Sequence, residues 1–136
     1  MPRINNSGSS KILFPELSYQ IVGAAFSVFN ELGWGLAEKD YSRAMAQELG
    51  LRKMEFKQEV FIPLEYKGQR LSRYFADFII DGQVIVELKV ATKFGYGYIH
   101  QLLPYLKSAG LKLGILVYFT KDGVKYRRVL NPSIPS

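Results

Sequence analysis

The segment Val84-Ile85-Val86-Glu87-Leu88-Lys89-Val90 restricts the fold more than any other part of the chain. Side chains of a strand alternate between faces, so Val84, Val86, Leu88 and Val90 share one face and Ile85, Glu87 and Lys89 the other. A strand this apolar belongs inside a sheet with both faces covered. Two charges on such a strand are costly unless they are paired or used.

The flanking sequence supplies what would cover it. Leu17, Ile21, Val22, Ala25, Phe26, Phe29 and Leu32 recur at helical spacing and predict a helix from Pro15 or Ser18 to Leu32, with Pro15 in the first turn and Gly33 just past the end. A second helix is expected over Leu36–Leu49 with Gly50 as its stop. The period then changes from helical to alternating. Strands are expected over Gln58–Leu64, Leu71–Ile80 and Gln83–Val90, separated by a turn at 66–69 and a hairpin at Asp81-Gly82. A helix over Tyr98–Ser108 closed by Gly110, a buried strand over Leu113–Phe119 and a last strand over Val124–Leu130 complete the chain. The order α-α-β-β-β-α-β-β predicts an α/β fold, one domain with a mixed central sheet flanked by helices. Its expected bounds are residues 15–131, between an N-terminal tail (1–14) and a C-terminal tail (132–136). A hydrophobic share of 48% is enough for one core.

Asp77 is a further acid inside an apolar run, Phe75 to Ile80. Asp77 and Glu87 are symmetric about Gly82, so a three-residue loop sets them opposite each other. Two acids so close raise the pKa of one of them unless a cation lies between. Oxygen ligands of this kind suit magnesium or manganese. Lys89, one same-face step beyond Glu87, could then stabilise a phosphate oxyanion or orient a water. The plainer reading is a Glu87–Lys89 salt bridge with Asp77 capping a loop. Glu38 stands three residues before Tyr41 and seven before Met45, on the apolar stripe of its helix. It is either a first-turn glutamate favoured by the helix dipole or another carboxylate turned toward the metal site. Gln101, four before Tyr105, could bind a water or a phosphate, or be satisfied by backbone.

Composition narrows the chemistry. With no cysteine and one histidine, His100, thiolate chemistry and zinc sites built on several imidazoles are excluded. No stretch approaches the roughly 20 apolar residues of a membrane span, and the early apolar segment fits a signal peptide poorly, so a cytoplasmic protein is expected. The formal net charge of +6 favours a polyanionic partner.

Asp77, nine residues, then Glu87-Leu88-Lys89 resembles the D-x(n)-E-x-K signature of PD-(D/E)XK nucleases. Gly35-Leu36-Ala37-Glu38-Lys39-Asp40-Tyr41 resembles the motif that names the GxxExxY proteins, a group placed in that superfamily. The stretches 30–33, 66–68, 76–77, 84–89, 101–107 and 110–116 look like the same pattern, so the likeness runs from Leu17 to Asn131. One departure is Ala76, where the signature has proline before the aspartate. The resemblance implies a restriction-endonuclease-like core. It implies that Asp77 and Glu87 hold a metal ion, with the Leu88 carbonyl and Glu38 as further ligands. It makes Lys89 the catalytic lysine and Gln101 the helix residue facing the site.

The expected function is therefore a Mg2+- or Mn2+-dependent nuclease, a phosphodiesterase acting on nucleic acid, with DNA as the expected substrate. Lys67, Arg70, Arg73, Lys93, Arg127 and Arg128 are the candidates for backbone contacts. A homodimer or a partner protein would supply specificity. The rival is a nuclease-fold module that binds nucleic acid or a protein partner with weak or no turnover.

Overall fold

Phe14 leads into the first helix with a left-handed backbone, φ 52°, and Pro15 occupies the first turn, where its missing N–H costs nothing. The computed structural model describes residues 14–92 and 97–134. The elements are α1 (Pro15–Leu32), α2 (Glu38–Leu51), β1 (Phe56–Tyr66), β2 (Gln69–Ile80), β3 (Val84–Val90), α3 (Gly97–Ala109), β4 (Leu113–Thr120) and β5 (Gly123–Leu130). The order is the expected one, and the fold is a single-domain α/β with a five-stranded mixed sheet.

The sheet runs β1-β2-β3-β4-β5; β3 and β4 are parallel, and the other pairs antiparallel. The parallel pair requires a crossover, which α3 provides. β3 is the central strand, as its composition required. One face of the sheet, with Phe78, Ile80, Val84, Val86, Leu88, Ile115 and Val117, packs against α1 and α2. The other, with Ile85, Leu116 and Tyr118, packs against Leu102 and Leu106 of α3. α3 sits close to β4 at Gly114: a Cβ there would stand 2.6 Å from Leu102 Cδ2, and that side chain would have to shift.

Two expected boundaries are corrected. α2 does not begin at Leu36: Gly35 has φ +116° and Ala37 is extended, so the helix opens at Glu38. Nor does Gly50 stop it. The helix runs through Gly50 to Leu51, and Arg52 fixes its end by reaching Glu48 (2.8 Å), Gln20 (2.8 Å) and Ser27 (3.0 Å), the last two on α1.

The other end of α2 is fixed by Tyr41. Its ring is fully buried and stacked on Phe119 at 4.3 Å between centroids, and its hydroxyl donates to the carbonyl of Gly33. Gly35, Glu38 and Tyr41 are thereby explained together: a glycine for the positive φ, a glutamate at the helix start, and a tyrosine anchoring that start to the sheet. Tyr41→Ala is expected to cost about 3–5 kcal/mol, the range for truncating a buried aromatic. Urea unfolding checks it; a loss below about 1 kcal/mol would show that Tyr41 is not the anchor.

Candidate active site

β2 and β3 pair through Phe78↔Val86, Ile79↔Ile85 and Ile80↔Val84, which leaves Asp81, Gly82 and Gln83 as the loop. Asp81 and Gly82 both have positive φ, 55° and 64°. Continuing this register sets Asp77 opposite Glu87. At that level, side chains replace the ladder. The Asp77 N–H donates to Glu87 Oε1 at 2.9 Å, and the Leu88 N–H donates to Asp77 Oδ2 at 2.7 Å. Each carboxylate thus occupies a backbone donor of the opposite strand.

The same level carries a change of phase. Phe56, Phe78 and Ile80 pack on the α1/α2 side, but Ile62, Tyr74 and Ala76, at positions of the same parity, pack on the α3 side. The switch falls at Asp77 and at Glu59, whose φ of 50° is unusual inside a strand. The outer half of the β1–β2 ribbon is therefore rotated against the rest of the sheet, and Asp77 stands where the rotation occurs.

The expected residues meet around this point from two sides. Asp77 and Glu38 line a hollow toward α2, together with Lys39, Ser42, Arg43, Gln58 and Glu59. Glu87, Lys89 and Gln101 line a cavity toward α3. Glu38 and Gln101 are both exposed, and Gln101 is an accessible residue at the cavity rim. Among the described residues, no three His, Cys, Asp or Glu side chains converge as a ready-made metal cage.

Glu87 is 7% exposed. Burial, and then the charge of Asp77, raises its pKa to about 7, against the opposing pull of Tyr74, the Asp77 N–H and Lys89. Asp77 is raised chiefly by burial, while the Leu88 N–H and Lys89 oppose the shift. Glu38 is raised by the partial burial of its carboxyl and then by Asp77, with Lys89 opposing. All three acids therefore feel Lys89. The simple Glu87–Lys89 ion pair is not formed; the Lys89 ammonium lies over the Tyr98 ring, 4.2 Å from its centroid. The Tyr74 hydroxyl is close enough to Glu87 for each to shift the other's titration. It is nevertheless buried without a hydrogen bond of good geometry among the described residues. Burial, then the Glu87 charge, raises the Tyr74 pKa strongly.

The candidate phosphate-binding cations are spread over the sheet. Lys67, Arg70 and Arg73 are exposed toward the tip of the β1–β2 ribbon, Lys67 over Tyr66 and Arg70 over Phe61. Arg127 lies in the cross-strand row Glu87–Leu116–Arg127. Arg128, paired with Ile115, stands on the opposite face, and burial lowers its pKa. Lys93 falls outside the described residues. Sequence reasoning missed Lys39 and Arg43 beside Asp77, and Lys125 in the row Lys89–Tyr118–Lys125. It also missed Tyr74, Tyr98 and Tyr105, which line the cavity beside Glu87. Helical spacing could have shown that Lys39 and Arg43, four residues apart, share one face of α2; the strand residues needed the register.

This is an α/β domain whose acids gather where two central strands part. The PD-(D/E)XK nuclease superfamily model matches residues 15–129, nearly the whole chain, and the protein belongs to that superfamily. None of the curated proteins matches the chain. Solved structures do resemble it, among them the following two. The crystal structure of SSO0001 is 19% identical, with 86% of this chain and 78% of that one covered and a TM-score of 0.45. An alkaline exonuclease (LHK-Exo) from Laribacter hongkongensis is 10% identical, with coverages of 85% and 83% and a TM-score of 0.49. The assignment rests on the family match. Among the described residues, no helix is long and apolar enough to cross a membrane.

Proposed function

We propose that this protein is a divalent-metal-dependent nuclease of the GxxExxY group that hydrolyses phosphodiester bonds in nucleic acid, with DNA as the first substrate to test. The observation that carries the reading is the pair of crossed hydrogen bonds, Asp77 N–H to Glu87 Oε1 and Leu88 N–H to Asp77 Oδ2, which hold two partly buried acids at one level of adjacent strands near Lys89. Two such acids fit a hard cation: their repulsion and burial raise the Glu87 pKa, and a bound divalent ion would relieve both. A carboxylate that holds one N–H keeps further lone pairs for a ligand. Asp77 and Glu87 would hold magnesium or manganese, with the Leu88 carbonyl and Glu38 as further oxygen donors. The ion, when bound, lowers the pKa of a water and neutralises the scissile phosphate. Lys89, held by Tyr98 rather than by a carboxylate, is free to face the charge developing on the phosphate. Gln101 at the rim would orient a water or a phosphate oxygen.

Calorimetric titration with manganese, followed by a cleavage assay on single-stranded and duplex DNA, tests this. Saturable binding and metal-dependent cleavage are expected; a protein showing neither is not a nuclease. Nucleic-acid affinity should also depend on salt. With about four phosphate contacts from the exposed cations, affinity is expected to fall roughly 50- to 150-fold between about 50 and 200 mM salt. Binding indifferent to salt would remove those cations from the interface.

One observation favours a binding module without turnover: both carboxylates already serve a structural purpose in the hairpin. Metal affinity of the wild type decides between the readings. In either case the protein is proposed to act in the cytoplasm, with a second copy or a partner protein supplying specificity.

A further inference from the structure

The cavity on the α3 side of Glu87 is not needed to hold a metal. It encloses about 360 Å3 and is lined by Leu64, Tyr74, Tyr98, Gln101, Leu102, Pro104, Tyr105 and Leu116, besides Glu87 and Lys89. That volume lies at the lower end of the roughly 300–1,000 Å3 of small-ligand sites. Its walls are aromatic and aliphatic. Tyr74 and Tyr105 stack at 3.9 Å between centroids, and the Tyr105 hydroxyl is 2.9 Å from Ser72 Oγ, which fixes this wall. Tyr98, 39% exposed, offers an accessible ring beside Lys89. Polar groups are few and of the kinds that read an edge: the Gln101 amide at the rim, and the Tyr74 hydroxyl, buried beside Glu87. A hydroxyl set between a carboxylate and an aromatic wall can both donate and accept, so it can also serve a ligand's edge.

We infer that this cavity takes one unstacked nucleobase of the strand whose phosphate lies at Glu87 and Lys89, so that the substrate class is single-stranded or frayed nucleic acid. The inference rests on the proposed nuclease reading and sharpens it. A base that stays stacked and paired in a duplex cannot insert its ring between the walls of this cavity. A single base can, and its π-face gains from aromatic stacking whatever its sequence. Closeness to Glu87 and Lys89 ties the bound base to the phosphate of its own backbone. The Tyr74 hydroxyl and Gln101 then bear on the base edge.

The test is binding without metal, in EDTA, by fluorescence anisotropy. Three probes of equal length are used: a thymine single strand, an all-abasic single strand of the same charge, and a blunt duplex. The thymine strand is expected to bind at least tenfold tighter than either of the others. Leu64→Trp, which fills the cavity, should remove that advantage and leave duplex affinity within twofold. Tyr105→Ala, which removes the stacked wall without filling the cavity, should weaken the thymine strand alone and serves if Leu64→Trp does not fold. Equal binding of the abasic and thymine strands, or a strand preference surviving in both variants, overturns the inference. A wild type that binds the thymine strand preferentially but cuts nothing with manganese would retain the base pocket and lose the nuclease assignment. One that cuts duplex and single strand alike, with no base-dependent binding, would do the reverse.

Discussion

Glu87→Gln and Asp77→Asn are each expected to bring metal-dependent cleavage down to background while leaving the fold intact. Either amide retains an oxygen able to accept the N–H that its carboxylate now holds, from Asp77 in one case and Leu88 in the other. The hairpin should therefore survive, and what disappears is a charged oxygen donor. The loss should exceed the roughly 10- to 100-fold that disturbing the outer partners of a metal ligand costs. Manganese affinity should fall with it, whereas metal-free DNA binding should hold or improve, because a negative charge beside the phosphate has gone. Lys89→Ala should also end cleavage but leave metal binding in place. The opposite pattern would be a wild type without metal affinity, together with losses of about 3–5 kcal/mol in the variants, the cost of breaking a truly buried charge pair. Titration and thermal melts of all three variants would then leave the fold and overturn the nuclease.

The metal-free protein is expected to lose stability as pH rises. Glu87 titrates near 4.5 in an unstructured chain and near 7 in the folded protein. Between those values the folded state holds a proton that the unfolded state has released. The stabilisation is fully present below about 4.5 and is lost as pH rises through about 7. At 1.36 kcal/mol per pKa unit, the loss is up to about 3 kcal/mol. Asp77 and Glu38 are raised as well and act in the same direction. Melts in EDTA at pH 5 and pH 8 should show it. Manganese should restore stability at the higher pH, since it binds the deprotonated acids, and Glu87→Gln should flatten the profile. A melting temperature that rises from pH 5 to pH 8 in EDTA would contradict the burial of Glu87.

The element order was legible because the chain changes its hydrophobic period cleanly, and because Asp81-Gly82 and Lys67-Gly68 occupy turns that need positive φ. The Glu87 and Lys89 positions were legible for a related reason: charges inside an apolar strand stand out. The end of α2 was not. Gly50 reads as a stop, but Arg52 binding across to α1 carries the helix one residue past it. Strict alternation also hides the rotation of the β1–β2 ribbon, because the positive φ at Glu59 follows from no local residue preference. Once the phase shifts, tyrosines that look like ordinary strand and helix core become the walls of a cavity. Tyr74 and Tyr105, far apart in sequence, meet only through α3 packing on the ribbon.

The swapped donors of the hairpin mean that this sheet carries its own indicators. The amide protons of Asp77 and Leu88 end on carboxylates rather than on carbonyls. Their chemical shifts and exchange rates will follow whatever those carboxylates are doing: protonated, charged or bound. Two backbone signals in the middle of a buried ladder thus register events at the site directly, with no label attached to it.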